Sequence, residues 1–238
     1  MTMWDQFFWL IFPYLMLTIF VVGHVWRYNT DQFGWSAKSS EFLEKRYLRW
    51  GSTLFHWGIV FVFFGHVAGV LVPRQFFDML GITDEMYHFG AVWFGGAAGV
   101  ATIVGLFLLM WRRFSVKRIL RNSTKADILV LILLTIVTLT GFTNTVAYTA
   151  TGGHFDYRST IGPWFRGILT FRPDIMLVVQ SPFGFQLHII SAFLLFGIFP
   201  FTRLVHMWSL PLAYLRRKYL VYRAVNPKKA LQLAKRSD

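Results

Sequence analysis

Five separate stretches of about twenty mostly apolar residues constrain this chain more than any other feature: 7–26, 54–72, 89–111, 128–146 and 185–203. A stretch of that length and character suits hydrocarbon, where the backbone must satisfy its own hydrogen bonds, and that requirement selects the α-helix. The composition agrees, with 55 % of residues hydrophobic and 19 % aromatic, above the range of soluble domains. The expected fold is an all-α integral membrane protein. Residues 1–208 make a five-transmembrane-helix bundle and 209–238 a basic tail. The first stretch lacks a basic flank and a small-residue cleavage site, so it is expected to stay as a helix rather than leave as a signal peptide.

The net charge of +13 raises nucleic acid as a partner, but the distribution of charge argues for a membrane. Five Lys/Arg lie between the first two stretches, six between the third and fourth, and nine from Arg203 onward. The opposite side holds four: Arg74, Arg158, Arg166 and Arg172. This asymmetry follows the positive-inside rule. It predicts a multi-pass protein of the cell membrane with its N-terminus outside and its C-terminus cytoplasmic. The basic tail reads either as an anchor on anionic lipid or as a docking segment for cytoplasmic subunits.

Loops carry further expectations. The polar residues 27–53 suggest an interfacial helix, residues 112–127 a basic turn, and "GPWFRGILTFRP" a short helix lying in the interface. Gly95 and Gly99 form a small-xxx-small pair suited to close helix packing. Glycines 51, 58, 65 and 69 form a stripe that admits either a neighbouring helix or a flat macrocycle.

No cysteine is present, which excludes disulfides, thiolate-held iron–sulfur clusters and haem attached through Cys-x-x-Cys-His. Imidazoles remain as ligands. Of seven histidines, His154 is expected in a solvated loop and His24 near a membrane surface, with His88 opening the third stretch. The other four fall in pairs, His56 and His66 on the second span, His188 and His206 on the fifth. Antiparallel spans match them by depth, His66 with His188 toward the outside and His56 with His206 toward the cytoplasm. Four imidazoles arranged so are what two six-coordinate haems require. The spacings disagree, however. On straight helices ten residues give about 15 Å and leave the rings roughly 80° apart, whereas eighteen give about 27 Å on one face. Arg203, Arg112 and Arg113 are candidates for the propionates of the inner haem; for Arg112 and Arg113, ordinary positive-inside flanking is the other reading.

The chain resembles the gamma subunit (cytochrome b) of respiratory membrane-bound nitrate reductase over nearly its whole length. "FHWGIVFVFFGHVAGVLVP", "GGAAG", "ADILVL" and "FPFTRLVHMWSLPLAYLRRKY" carry the resemblance. It implies two haem b groups, the outer on His66 and His188 and the inner on His56 and His206. It also implies quinol (menaquinol or ubiquinol) oxidised near the outer haem. Electrons would then pass to an iron–sulfur (beta) subunit and a molybdenum catalytic (alpha) subunit on the cytoplasmic side, where nitrate is reduced. Gly65 and His66 match the quinol-side block. A basic residue that some members carry before the third span is missing from "ITDEMYH", so Tyr87 or His88 is the candidate for its hydrogen-bonding part, with an interfacial aromatic pair as the alternative. Three rival functions were weighed on the residues: a di-haem subunit serving another cytoplasmic reductase of heterodisulfide or sulfite type, a histidine-lined transporter, and a structural anchor. The transporter would call for carboxylates inside the spans or an internal repeat, and the anchor leaves four buried imidazoles unexplained.

Overall fold

The computed structural model describes residues 2–36, 40–150 and 155–209 and is wholly helical among them. Five helices are long and apolar enough to cross a membrane: Met3–Thr30, Arg46–Leu71, Asp84–Ser115, Lys125–Ala147 and Phe183–Phe201, here spans one to five. Most run past the apolar stretches at both ends because polar caps carry the helix onward. The Thr83 hydroxyl accepts from Met86 N, and Thr124 and Asp127 exchange side-chain and backbone bonds at 3.0 and 3.2 Å to open span four. Phe61, Phe63 and Phe64 each expose 60 % of their surface, as side chains facing lipid do.

Span two packs on span three, three on four, four on five and five on one. The first of these contacts is closest. A Cβ at Gly58 would stand 2.6 Å from the Thr102 nitrogen, and one at Gly51 3.1 Å from Leu108 Cβ. Half of the glycine stripe therefore serves helix packing. The other half does not: Gly65 has nothing within 4 Å, and Gly69 abuts the rings of Tyr157 and Tyr87. The expected Gly95–Gly99 pair also divides, because Gly99 receives the ring of Phe142 from span four while Gly95 faces open space.

A second device lies at the end of span five. Its α-helix stops at Ile198, since Pro200 has no N–H to donate and its ring crowds the carbonyl four residues back. Two 3-10 turns follow, Phe199–Phe201 and Arg203–Trp208, around an extended Thr202. Arg27 of span one donates through Nη1 to the carbonyls of Pro200 and Thr202, both at 2.7 Å, and through Nη2 to Gly34. Those carbonyls have left the helical ladder and need donors. Gly23 makes room, because a Cβ there would lie 2.8 Å from Pro200 Cγ. The expectation of one straight helix from His188 to His206 is thus corrected.

Two loop expectations change as well. Among the described residues of 27–53 there is no interfacial helix: span one runs to Thr30, turns follow, and span two starts at Arg46. Arg112 explains this, for it takes the carbonyls of Ser40 and Glu44, each at 2.8 Å, which a helix would use internally. "GPWFRGILTFRP" does form a short helix, Ile161–Leu169, but its apolar face meets protein rather than lipid. Trp164 and Ile168 are fully buried with Trp9, Met16, Val178 and Phe193, and Trp164 Nε1 donates to the Trp9 carbonyl at 3.0 Å. This helix also packs on the π-turn Val67–Leu71 that ends span two, where Arg166 donates to the Val70 carbonyl at 2.7 Å. The basic connection after span three contains a short helix, Lys117–Arg121. The described residues up to Met207 form one compact unit; the basic tail beyond Ser209, like His154, lies outside the described residues.

Gly58→Val should force spans two and three apart and lower the stability of the purified protein by about 1–3 kcal/mol. Thermal unfolding in detergent measures this, and a melting temperature equal to that of the unaltered protein would contradict the packing described.

Candidate cofactor site: two imidazole pairs between spans two and five

Spans two and five are not among the closely packed neighbours; they approach each other through histidines. The ring centroids of His56 and His206 are 6.0 Å apart, and those of His66 and His188 5.9 Å. The depth pairing expected from the sequence is therefore what the fold brings together. His56 and His66 are ten residues apart on one helix, about 15 Å along its axis, so the facing pair must have nearly the same separation. The ten helical residues from His188 to Ile198 supply it, and the turns after Pro200 let His206 stay at that depth.

All four rings are oriented by the same kind of bond. Nδ1 lies 2.7 Å from the Ser52 carbonyl in His56, 2.8 Å from Val62 in His66, 3.0 Å from Val137 in His188 and 2.5 Å from Arg203 in His206. A carbonyl only accepts, so Nδ1 carries the proton and Nε2 keeps a free lone pair, the arrangement found in metal-bound histidines. A metal–imidazole nitrogen bond of about 2 Å, plus about 1 Å from that nitrogen to the ring centre, puts two trans rings about 6 Å apart. Both pairs have that separation. Among the described residues no three His, Cys, Asp or Glu cluster to hold an ion by themselves. Two ligands on opposite sides suit a metal whose four remaining positions come from a macrocycle, and the residues fit haem iron.

Neighbouring elements fix the imidazole rings. Gly141 of span four admits the His188 ring, since a Cβ there would lie 2.8 Å from His188 Cε1, and the Thr140 hydroxyl is 3.3 Å from Nδ1. His206 rests on Arg203, whose Nε donates to Asp127 Oδ1 at 2.6 Å. The Asp127 carboxylate also faces Arg113 Nη1 at 3.7 Å and caps span four. Three residues that matter here, Arg27, Asp127 and Gly141, were not singled out by sequence reasoning. Their role depends on contacts across spans, though Pro200 was a legible sign of the break.

The propionate candidates are placed differently from one another. Arg203 uses Nε on Asp127 and is 28 % exposed. Arg112 is buried, with Nε on the Glu44 carboxylate at 2.8 Å and its Nη atoms on Ser40 and Glu44. Burial alone would raise the Glu44 carboxyl, but bonds from the Tyr47 and Leu48 nitrogens and from Arg112 outweigh it and hold it below the usual carboxylate range. Arg112 thus ties the loop after span one to span three. At the other end, Gly65 lies exposed beside His66. Tyr87 stacks edge-on to Phe77 at 5.0 Å, and its hydroxyl reaches the Gly69 face of span two, one turn from Gly65. The fold brings these three positions to one end of the gap. His88 is exposed on the next helix position and does not join them. His24 bonds the Phe20 carbonyl through Nδ1 at 2.6 Å and packs among Phe20, Trp35 and Phe199.

Fold and site together define a five-span membrane protein with two cross-bundle imidazole pairs. A family model described as "Nitrate reductase gamma subunit" matches residues 5–225. The chain is 51 % identical over 218 residues to the nitrate reductase gamma chain of Bacillus subtilis, covering 92 % of this chain and 97 % of that one. It is 36 % identical over 221 residues to the respiratory nitrate reductase 2 gamma chain of Escherichia coli, with 92 % and 97 % covered. A nitrate reductase-like protein NarX of Mycobacterium tuberculosis is 36 % identical over 223 residues, 93 % of this chain and 34 % of that protein. This chain belongs to the nitrate reductase gamma subunit family. It is accordingly a multi-pass membrane subunit of an oxidoreductase complex.

Asp127→Asn should leave Arg113 and Arg203 without their shared counter-charge and cost on the order of 3 kcal/mol, with Asp127→Glu milder. Unfolding temperatures of the two variants measure it; equal stability of Asp127→Asn and the unaltered protein would refute the role of this ion triad.

Proposed function

We propose that this chain is the cytochrome b subunit of a respiratory nitrate reductase, oxidising quinol at its outer end and delivering electrons to cytoplasmic partners. The single observation that carries the reading is the pair of facing imidazole couples, each ring fixed through Nδ1 with Nε2 left to bind. Charge asymmetry supports an outward N-terminus, which sets the His66 end outside and the His56 end toward the cytoplasm. His66 and His188 hold an outer haem b, and His56 and His206 an inner one. When bound, the two haems supply one-electron carriers at two depths.

The chain's own residues provide the rest. Gly65 leaves clear space beside His66 for a flat ring, and Tyr87 offers a hydroxyl one turn further out. Tyr157 bonds Tyr87, and burial, then its tyrosine neighbour, hold the Tyr157 proton more firmly than usual. The Tyr87–Tyr157 pair therefore orients a quinol by hydrogen bonding, and the quinol's protons leave on the outer side, where Asp84 and Asp156 are about half exposed. The partners that fit are the iron–sulfur (beta) and molybdenum (alpha) subunits on the cytoplasmic side. Charge crossing the bilayer in this way stores energy as membrane potential.

His66→Ala and His188→Ala should each reduce the haem content from two per chain to one and abolish quinol oxidation, read by pyridine haemochrome assay and quinol-dependent reduction. Two haems per chain surviving replacement of all four histidines would defeat the proposal.

A further inference from the structure

The outer side keeps few cations, and one of them is buried in an unusual state. Arg158, in the turn before Ile161–Leu169, is 7 % exposed. Its guanidinium lies 3.8 Å over the Tyr87 ring and 5.0 Å from the Phe77 ring. Nη1 donates to Asp84 Oδ1 at 3.3 Å, while Arg74 pairs with the other oxygen of that carboxylate, Oδ2. The Arg158 backbone nitrogen donates to Asp156 Oδ1 at 3.0 Å. Nε and Nη2 are both buried and have no partner among the described residues.

Those two atoms are not an arbitrary pair. Nε–H and the adjacent Nη2–H lie parallel along one edge of the guanidinium, the fork that takes a carboxylate through two bonds. Leaving such donors buried and unpaired is costly, while Asp84 and Asp156 are about half exposed and directed to solvent. Stacking on Tyr87 and the Asp84 bond fix the plane of the guanidinium, and with it the fork.

Its position selects the carboxylate. The Tyr87 hydroxyl and the Tyr157 ring lie against Gly69, three residues and about 4.5 Å of helix beyond His66. A haem held by His66 and His188 would carry anionic propionates, and charge left in hydrocarbon is expensive, so a cation at the nearer end of the bundle would be their counter-charge. Arg158 lies at that end.

We infer that the Nε–Nη2 edge of Arg158 is a carboxylate site that binds a propionate of the outer haem. The inference rests on the proposed function and adds to it a residue from the outer connecting segment. Pairing a propionate with this buried cation would favour the reduced, less positive state of that haem.

The test is a redox titration of both haems in the full membrane complex carrying Arg158→Gln or Arg158→Lys, the outer haem being the one lost in His66→Ala. Arg158→Gln with two haems per chain should lower the outer haem's reduction equilibrium about tenfold, a downward shift of about 59 mV, and leave the inner haem unchanged. Arg158→Lys should recover part of the shift. Unchanged potentials in Arg158→Gln overturn the inference, as does a raised KM for a quinol analogue with both potentials intact, which would assign the fork to another anion. If Arg158→Gln loses haem, Arg158→Lys decides: an outer potential equal to the unaltered protein's overturns the inference, and a lowered one supports it. An unaltered complex without haem would instead refute the proposed function.

Discussion

The break in span five after Ile198 is the constraint on which the site depends. A continuous helix would carry the second histidine of that span well past its partner on span two. Pro200 ends the helical ladder, and the carbonyls it releases would be a liability inside a membrane protein. Arg27 of span one supplies the donors, bonding the Pro200 and Thr202 carbonyls at 2.7 Å. A residue of one span thereby sets the depth of the His206 imidazole on another. Gly23, which leaves space for the proline ring, is the steric counterpart of the same device.

Buried and half-buried arginines do similar work elsewhere in the bundle. Arg27 holds backbone carbonyls, Arg112 fastens the loop at Ser40 and Glu44, and Arg113 and Arg203 share Asp127. A guanidinium suits this because its planar fork keeps several donors at fixed angles and stays charged when buried. One consequence is that the arginines counted by the positive-inside rule are not equivalent. Arg112 and Arg113 belong to the architecture, and Arg203 stands directly behind the His206 ring. At the opposite end Arg158 is buried like Arg112, but its Nε and Nη2 have no partner among the described residues.

Much of this was legible in the sequence, and the reasons are physical. Long apolar stretches can only be helices in lipid, so all five spans were found, and their ends were misjudged because Thr83 and Asp127 extend helices past the apolar limit. The pairing of His66 with His188 and of His56 with His206 followed from antiparallel order alone. Equal spacing did not, because it needs the helix to break, and the sign of the break is Pro200, six residues before His206. The loop helix Ile161–Leu169 was recognised by its pattern, yet its apolar face could serve lipid or protein equally, and only Trp9 and Phe193 decide between them. Gly65 and Gly58 sit seven residues apart on one stripe, but one faces open space and the other a helix backbone. Nothing local to either glycine distinguishes them. The contacts of Arg27, Asp127 and Gly141 join residues far apart in the chain and have no short-range signature.

The most direct measurement is the position of iron in the complete complex, located by anomalous scattering or high-resolution electron microscopy. The account predicts two irons per chain, each between one imidazole of span two and one of span five, separated by about 15 Å along the bundle axis. A single iron, irons bound elsewhere, or an axial separation near the roughly 27 Å of an unbroken fifth span would contradict it.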